Sequence, residues 1–253
     1  MNGNIVLTDP TATPARILQL YEHLELYSAG DPPANTLFVL GRPPLAVLAT
    51  GSGDQLLLID PPADARQRFR LPEQTAALFT GPPQETGLPQ VQTTAGGVAH
   101  IRIGEHLLDI YSQRSGNIVH LPALGILCGG QFGSDATLPQ LAPASDGSEE
   151  LDTLRLLARL VKERQIQLYI PQTGLQAGER AEVMRRLAND VAYLHSLRRV
   201  VPALAQRGDE AETSASVADS LLPADRNSLH CRRIHLANVQ TLLGQTGQKR
   251  ATT

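Results

Sequence analysis

The chain has 253 residues, 42% apolar and 19% charged, which is enough to bury a full core and too apolar for global disorder. Its net charge of −3 gives no electrostatic reason to expect a nucleic-acid partner, and Arg198-Arg199 and Arg232-Arg233 read as solvated helix faces. Cys128 and Cys231 are too few for a disulfide framework, and no apolar run approaches the roughly 20 residues that cross a bilayer.

The N-terminus shows neither a basic n-region nor an apolar h-region, so a soluble, cytoplasmic protein is expected. Aromatic residues make up only 4% of the chain and tryptophan is absent. The core must therefore be built mainly from Leu, Val, Ile and Ala.

The first half reads as strands joined by Pro- and Gly-rich turns. Leu18, Leu20, Leu24 and Leu26 alternate with polar partners as in a half-buried strand, although Ile17, Leu20, Tyr21 and Leu24 also fit a helix. Asp31-Pro-Pro-Ala34 is a turn, because consecutive prolines continue neither element. Thr36 to Leu40, Leu45 to Ala49 and Gln55 to Ile59 are short β-type runs. Gly41-Arg-Pro-Pro44 and Thr50-Gly-Ser-Gly-Asp54 separate them in the manner of hairpin loops. After a brief run from Ala76 to Phe79, the pattern resumes at Val98 to Ile103, Leu107 to Ile110, Ile118 to Leu121 and Gly125 to Cys128.

From Ser148 the period changes. Ser148 reads as an N-cap, followed by Glu149, Glu150 and Asp152 in the first turn and an apolar stripe at Leu151, Leu154, Leu157 and Val161. A strand is expected from Ile166 to Ile170. Met184, Leu187, Val191, Leu194 and Leu197 describe a second helix from near Gly178 to Pro202. Gly208 to Ser220 reads as a mobile loop, a last helix spans Ser228 to Leu243, and residues 244–253 read as a frayed tail. With no long linker and no internal repeat, one α/β domain over residues 1–253 is expected.

Several segments resemble the metallo-β-lactamase superfamily. Asn35-Thr-Leu-Phe-Val39 is similar to its "NtylV" strand, and Leu57-Leu-Ile-Asp60 to "vLIDtG". Tyr111 to Pro122 is similar to the loop "PGHTPGS…YLP", and Leu124 to Phe132 to "vlfaGDllf". Pro171-Gln-Thr-Gly174 stands where the family has "PGHG", and His230 to Val239 resembles the closing "hrlNv" helix. The resemblance implies a four-layer αββα sandwich, two mixed β-sheets face to face with helices on both outsides. It also implies an edge where family members hold zinc, iron or manganese and hydrolyse esters, amides, thioesters or phosphodiesters with a metal-activated water.

The same resemblance locates positions where this chain departs from the family. For the family's "THxHxDH" loop, Thr80 to Leu88 is the best match. It sets Gly81, Pro83 and Thr86 where three histidines stand, and Glu85 where the aspartate stands. Gln113, Gly130 and Thr173 take the places of a later His, Asp and His. A metal ligand needs a lone pair in fixed geometry from imidazole, carboxylate or thiolate, and zinc sites take at least three such protein ligands. Of these seven positions only Glu85 offers one.

The expectation is therefore a metallo-β-lactamase-like protein without its metal centre and without a resident cofactor, acting as a non-catalytic binding or scaffold protein for a protein or small molecule. One alternative is a hydrolase with a rebuilt site drawing on Asp60, Glu85 and Asp135, which would need zinc, iron or manganese. Another is a metal-free small-molecule binder using the old cleft. Asp60, at the end of its strand, has a second reading as a cap for the Pro61-Pro62 turn. None of the seven histidines forms an HxH or HExxH arrangement. His230 and His235, five residues apart, share no helix face.

Overall fold

The computed structural model describes residues 15–41, 55–206 and 220–251. The strand expected at Leu45 to Ala49, its flanking loops and residues 208–219 of the expected mobile loop lie outside the described residues.

Among the described residues, ten strands form two five-stranded sheets. The first contains β1 (Arg16–Tyr21), β2 (Leu24–Ala29), β3 (Ala34–Gly41), β4 (Gln55–Ile59) and β5 (Gln74–Leu78), in that order. The ambiguous segment around Ile17 is thus a strand, and Glu22-His23 turns it back onto β2. A four-residue helix, α1 (Ala65–Arg68), connects β4 to β5, which run parallel.

The second sheet repeats this plan. Its order is β10 (Leu168–Pro171), β9 (Ile126–Gly130), β8 (Gly116–Leu121), β7 (His106–Gln113) and β6 (Val98–Ile103). The helix α2 (Ser148–Glu163) stands between the parallel strands β9 and β10. Each sheet is therefore three antiparallel pairings followed by one parallel crossover, a duplication that leaves no trace in the residues.

Period-two alternation explains the layering. Leu37 and Val39 of β3 and Leu57 and Ile59 of β4 point inward. They meet Leu108, Ile110, Val119, Leu121, Ile126 and Ile170 of the opposite sheet in a wholly non-aromatic core. The other face of β3 and β4 carries Phe38, Leu56 and Leu58, packed with Tyr27 and Phe69. All four phenylalanines lie in the outer layers, where the gap to irregular segments is uneven and bulk is useful. The aliphatic core expected from composition is the layer between the sheets.

Helices α2, α3 (Arg180–Ala205) and α4 (Leu229–Ala251) cover the second sheet. The expected stripes of α2 and α3 are the residues that pack there. Three boundaries differ from expectation. Ser148 is the first helical residue of α2 and not its cap: Gly147 precedes it at φ +86°, and Asp146 Oδ1 accepts from the Ser148 N–H and hydroxyl. The α3 helix continues through Pro202 to Ala205, because burial of Val201 and Ala205 offsets the hydrogen bond proline cannot make. The α4 helix runs to Ala251, so residues 244–251 of the expected frayed tail are helical backbone. Buried Val239, Leu242 and Leu243 anchor its middle.

Candidate functional site

At one edge of the sandwich the ends of β4, β5, β9 and β10 meet the β7–β8 turn. Asp60 follows β4 at φ +55°, a left-handed conformation that Asp adopts more readily than most residues. Its N–H donates to Leu78 O (2.9 Å), extending the parallel ladder, and its carbonyl accepts from Thr36 Oγ1 (2.9 Å). The carboxylate then turns toward the edge. Thr80 N–H donates to Oδ1 (2.8 Å), the Thr80 hydroxyl to Oδ2 (2.5 Å), and Gln172 Nε2 to Oδ1 (3.4 Å). Burial raises Asp60 from its ordinary 3.8 to about 6, against the pull of the two Thr80 bonds. Among the described residues no cation offsets that rise.

Two further clamps hold the edge. Thr80 O accepts from Asn117 N–H (2.8 Å), and Asn117 Nδ2 donates to Phe79 O (2.7 Å). The approach depends on Gly116, at φ +137°, since any Cβ there would overlap Thr80 O. Buried Asn35 ties β3 to the loop after β10. Its Nδ2 donates to Pro171 O and Gly174 O (both 2.8 Å), and its Oδ1 accepts from Ser28 Oγ (2.6 Å) and Gln176 Nε2 (3.0 Å). Asn35 N–H also donates to Gln172 O (2.9 Å), and Gln172 N–H to Gly130 O (2.7 Å).

The loop from 131 to 140 forms the opposite wall. Buried Asp190 on α3 accepts from Gly133 N–H (2.7 Å) and pairs with buried Arg226 (2.5 Å), whose Nη1 also donates to Thr137 O (3.0 Å). Burial raises Asp190 to about 6 even against Arg226. Tyr169 donates to Phe132 O (2.7 Å), and Asn238 of α4 holds Leu141 N–H and Pro139 O (both 2.8 Å).

Between the walls lies a cleft of about 730 Å³. Asp60, Gln84, Gln172 and Thr173 line one side and Gln131, Thr137 and Gln140 the other, with His230 from α4. A neighbouring recess of about 340 Å³ shares Gln131 and Gln140 with it and is lined by Gly81, Pro83 and Gln113.

The residues singled out from the sequence are thus distributed unevenly. Thr173 and Asp60 line the cleft, and Gly81, Pro83 and Gln113 the recess beside it. Gly130 ends β9 against Thr80. Thr86 is buried, its hydroxyl accepting from Leu88 N–H, while Glu85 is exposed and lines neither cavity. Asp135 caps Leu175 N–H (2.8 Å) and lies 3.8 Å from Arg186, outside the cleft lining. Asp60, Glu85 and Asp135 therefore do not converge. His230 faces the cleft while His235 is buried with Nδ1 3.0 Å from the Tyr193 hydroxyl, as their spacing implied.

Sequence reasoning passed over Thr80, Gln172, Asp190 and Arg226. The first two stand inside quoted segments, next to the positions that drew attention. Asp190 does carry a signal, since positions 187, 190, 194 and 197 fall on one helix face and put a carboxylate on the apolar stripe. Arg226 carries none.

These positions do not fit a metal centre of the family type. A Cβ on Gly130 would lie 3.3 Å from Thr80 Oγ1, and one on Gly81 3.3 Å from Gln172 Oε1. Thr80 and Gln172 thus crowd the space into which side chains at those positions would project. Among the described residues, no group of three or more His, Cys, Asp or Glu is arranged to hold a metal ion.

No protein-family model and no curated protein matches the chain. Among solved structures it is similar to a β-lactamase domain protein from Burkholderia ambifaria, at 12% identity over 98% of this chain and 92% of that one, with a TM-score of 0.57. Metallo-β-lactamases from Pontibacter korlensis (12% identity, 70% of this chain, 100% of that one, TM-score 0.47) and Erythrobacter litoralis (17%, 72%, 95%, 0.47) are also similar. The Burkholderia likeness and the paired five-stranded sheets together define the class, an αββα sandwich. Within that class the chain has the metallo-β-lactamase fold. Among the described residues, no helix is long and apolar enough to cross a membrane.

Proposed function

We propose that this chain is a non-catalytic binding protein built on the metallo-β-lactamase fold, with the cleft at its former catalytic edge as the binding seat. The observation that carries the reading is a network in which Thr80 and Gln172 close over Gly130 and Gly81 around Asp60, at positions that the resemblance sets against metal ligands. Hydrolysis in this superfamily, as the resemblance implies it, needs a metal to bring a bound water's pKa down to about 7. Thr, Gln, Gly and Pro at these positions supply too few anionic or imidazole donors for that.

A second reading, a hydrolase with a rebuilt site, has one observation in its favour: a half-buried carboxyl raised to about 6 facing a cleft. Among the described residues it lacks a second acid beside Asp60, since neither Glu85 nor Asp135 lines the cleft, and the Thr80 hydroxyl beside it serves as a hydrogen-bond donor to its carboxylate.

The test is elemental analysis of untagged protein after incubation with zinc, manganese and iron and then desalting, alongside ester, thioester and phosphodiester hydrolysis. The expected outcome is metal far below stoichiometric and no turnover above that of Asp60→Asn. Near-stoichiometric metal, or turnover that Asp60→Asn removes, overturns the proposal.

A further inference from the structure

The cleft has an unusual chemistry for its size. Four glutamines from three separate loops line it: Gln84 from the segment between β5 and β6, Gln131 and Gln140 from the loop after β9, and Gln172 from the loop after β10. Gln131 is occupied in a reciprocal amide clamp, its Nε2 donating to Gln140 O (3.1 Å) and its Oε1 accepting from Gln140 N–H (2.7 Å). That clamp sets the Gln140 side chain at the mouth shared by the two cavities. The side-chain amides of Gln84 and Gln140 make no hydrogen bond among the described residues, and Gln172 uses only its Nε2.

The charges decide what kind of ligand. Among the described residues Arg68 is the one cation of fixed charge in the lining, and its charge is matched by Asp64, which Nε and Nη2 hold, while Nη1 donates to the Tyr27 hydroxyl (2.9 Å). No unmatched positive charge among these residues favours a carboxylate or phosphate. Asp60 is the lone carboxyl of the lining, and its oxygens already accept from Thr80 and Gln172, which leaves little to hold a cation. What the cleft offers freely is carboxamide, each with donors and an acceptor side by side.

We propose that the cleft binds an uncharged small molecule rich in paired hydrogen-bond donors and acceptors, of the sugar or carboxamide class, read by Gln84, Gln140 and Gln172. This rests on the binding-protein reading above and names its ligand chemistry.

The experiment is saturation-transfer NMR on the full chain in EDTA, so that metal plays no part and a failure here is separate from a failure of the metal-free reading. The neutral probes are N-acetylglucosamine, glucose and acetamide. Inorganic phosphate, followed by phosphorus relaxation, and methylammonium are the charged ones. Each is present at about 10 mM, enough to register a Kd of millimolar order. At least one neutral probe is expected to show transfer, with the charged probes silent. The Gln84→Leu/Gln140→Leu double variant is expected to weaken it by about three- to tenfold, the size of one or two neutral hydrogen bonds. Both side chains are exposed and bond to nothing else, so this variant keeps the fold. Silence from every neutral probe, stronger binding of phosphate or methylammonium, or transfer unchanged in the double variant overturns the proposal.

Discussion

The two walls of the cleft are built on the same device and use it for different ends. On each, an aspartate pushed up by burial accepts a hydrogen bond from the backbone N–H of a loop residue: Asp60 from Thr80 (2.8 Å), Asp190 from Gly133 (2.7 Å). Asp190 lies deep and is matched by Arg226, which reaches on to Thr137 O. Asp60 has only a hydroxyl, an amide and a backbone N–H, and it faces the cleft. The first arrangement fixes a loop, because a buried charge with its counter-ion tolerates no slack. The second leaves a carboxyl whose protonation is set by its surroundings near neutrality. The same backbone-to-carboxylate contact thus fixes a loop on one wall and leaves a carboxyl facing the cleft on the other.

The comparison breaks first at Arg226. Arg226→Ala strands the Asp190 carboxylate, and a cost of about 3–5 kcal/mol is expected in urea unfolding at neutral pH. Adding Asp190→Asn should recover a substantial part. If Arg226→Ala costs no more than Asp60→Asn, the two walls are not different in kind.

A smaller effect tests the neutral wall. Asn35→Ala removes donors to Pro171 O and Gly174 O and the acceptor for Ser28 and Gln176. The buried carbonyls left behind predict a loss of about 2–4 kcal/mol. Asn35→Asp should be no better, because a carboxylate cannot donate to either carbonyl. Full stability of Asn35→Asp would show that the loop after β10 is held by something else.

The smallest effect is in pH. Both acids stand at about 6 in the folded chain against an ordinary 3.8, so between these values the folded state holds more protons than the unfolded one. Stability contributed this way is complete at low pH and is lost as pH rises toward about 6, with no further change above. Asp60→Asn should remove its share of that fall, on the order of 1–2 kcal/mol after allowance for partial exposure, measured as urea stability at pH of about 4 and about 7. An unchanged slope in Asp60→Asn would mean that Asp60 is ionised throughout.

Much of this architecture was legible in the residues. The β-type runs at Thr36 to Leu40 and Gln55 to Ile59 specify strands, apolar on both faces because both are covered, and the stripes of Leu151 to Val161 and Met184 to Leu197 specify the covering helices. Such patterns are local, and local periodicity is what a sequence displays directly. The ends of elements were less legible. Gly147 and Asp146 took the capping role assigned to Ser148, and α3 ran past Pro202, because tertiary burial outweighs a single boundary residue.

The candidate site divides along the same line. By itself the sequence determined which chemistry stands at the positions that the resemblance sets against metal ligands, because the side chains of Gly81, Pro83 and Gly130 offer no donor atoms wherever the fold puts them. Only the tertiary structure decided what stands there instead. Thr80 meets Asp60 across 20 residues, Gln172 meets it across 112, and Arg226 meets Asp190 across 36. Contacts at such separations obey no period along the chain. They exist because two sheets and their covering helices bring five loops to one edge, and the glutamines that line the cleft acquire a common purpose only there.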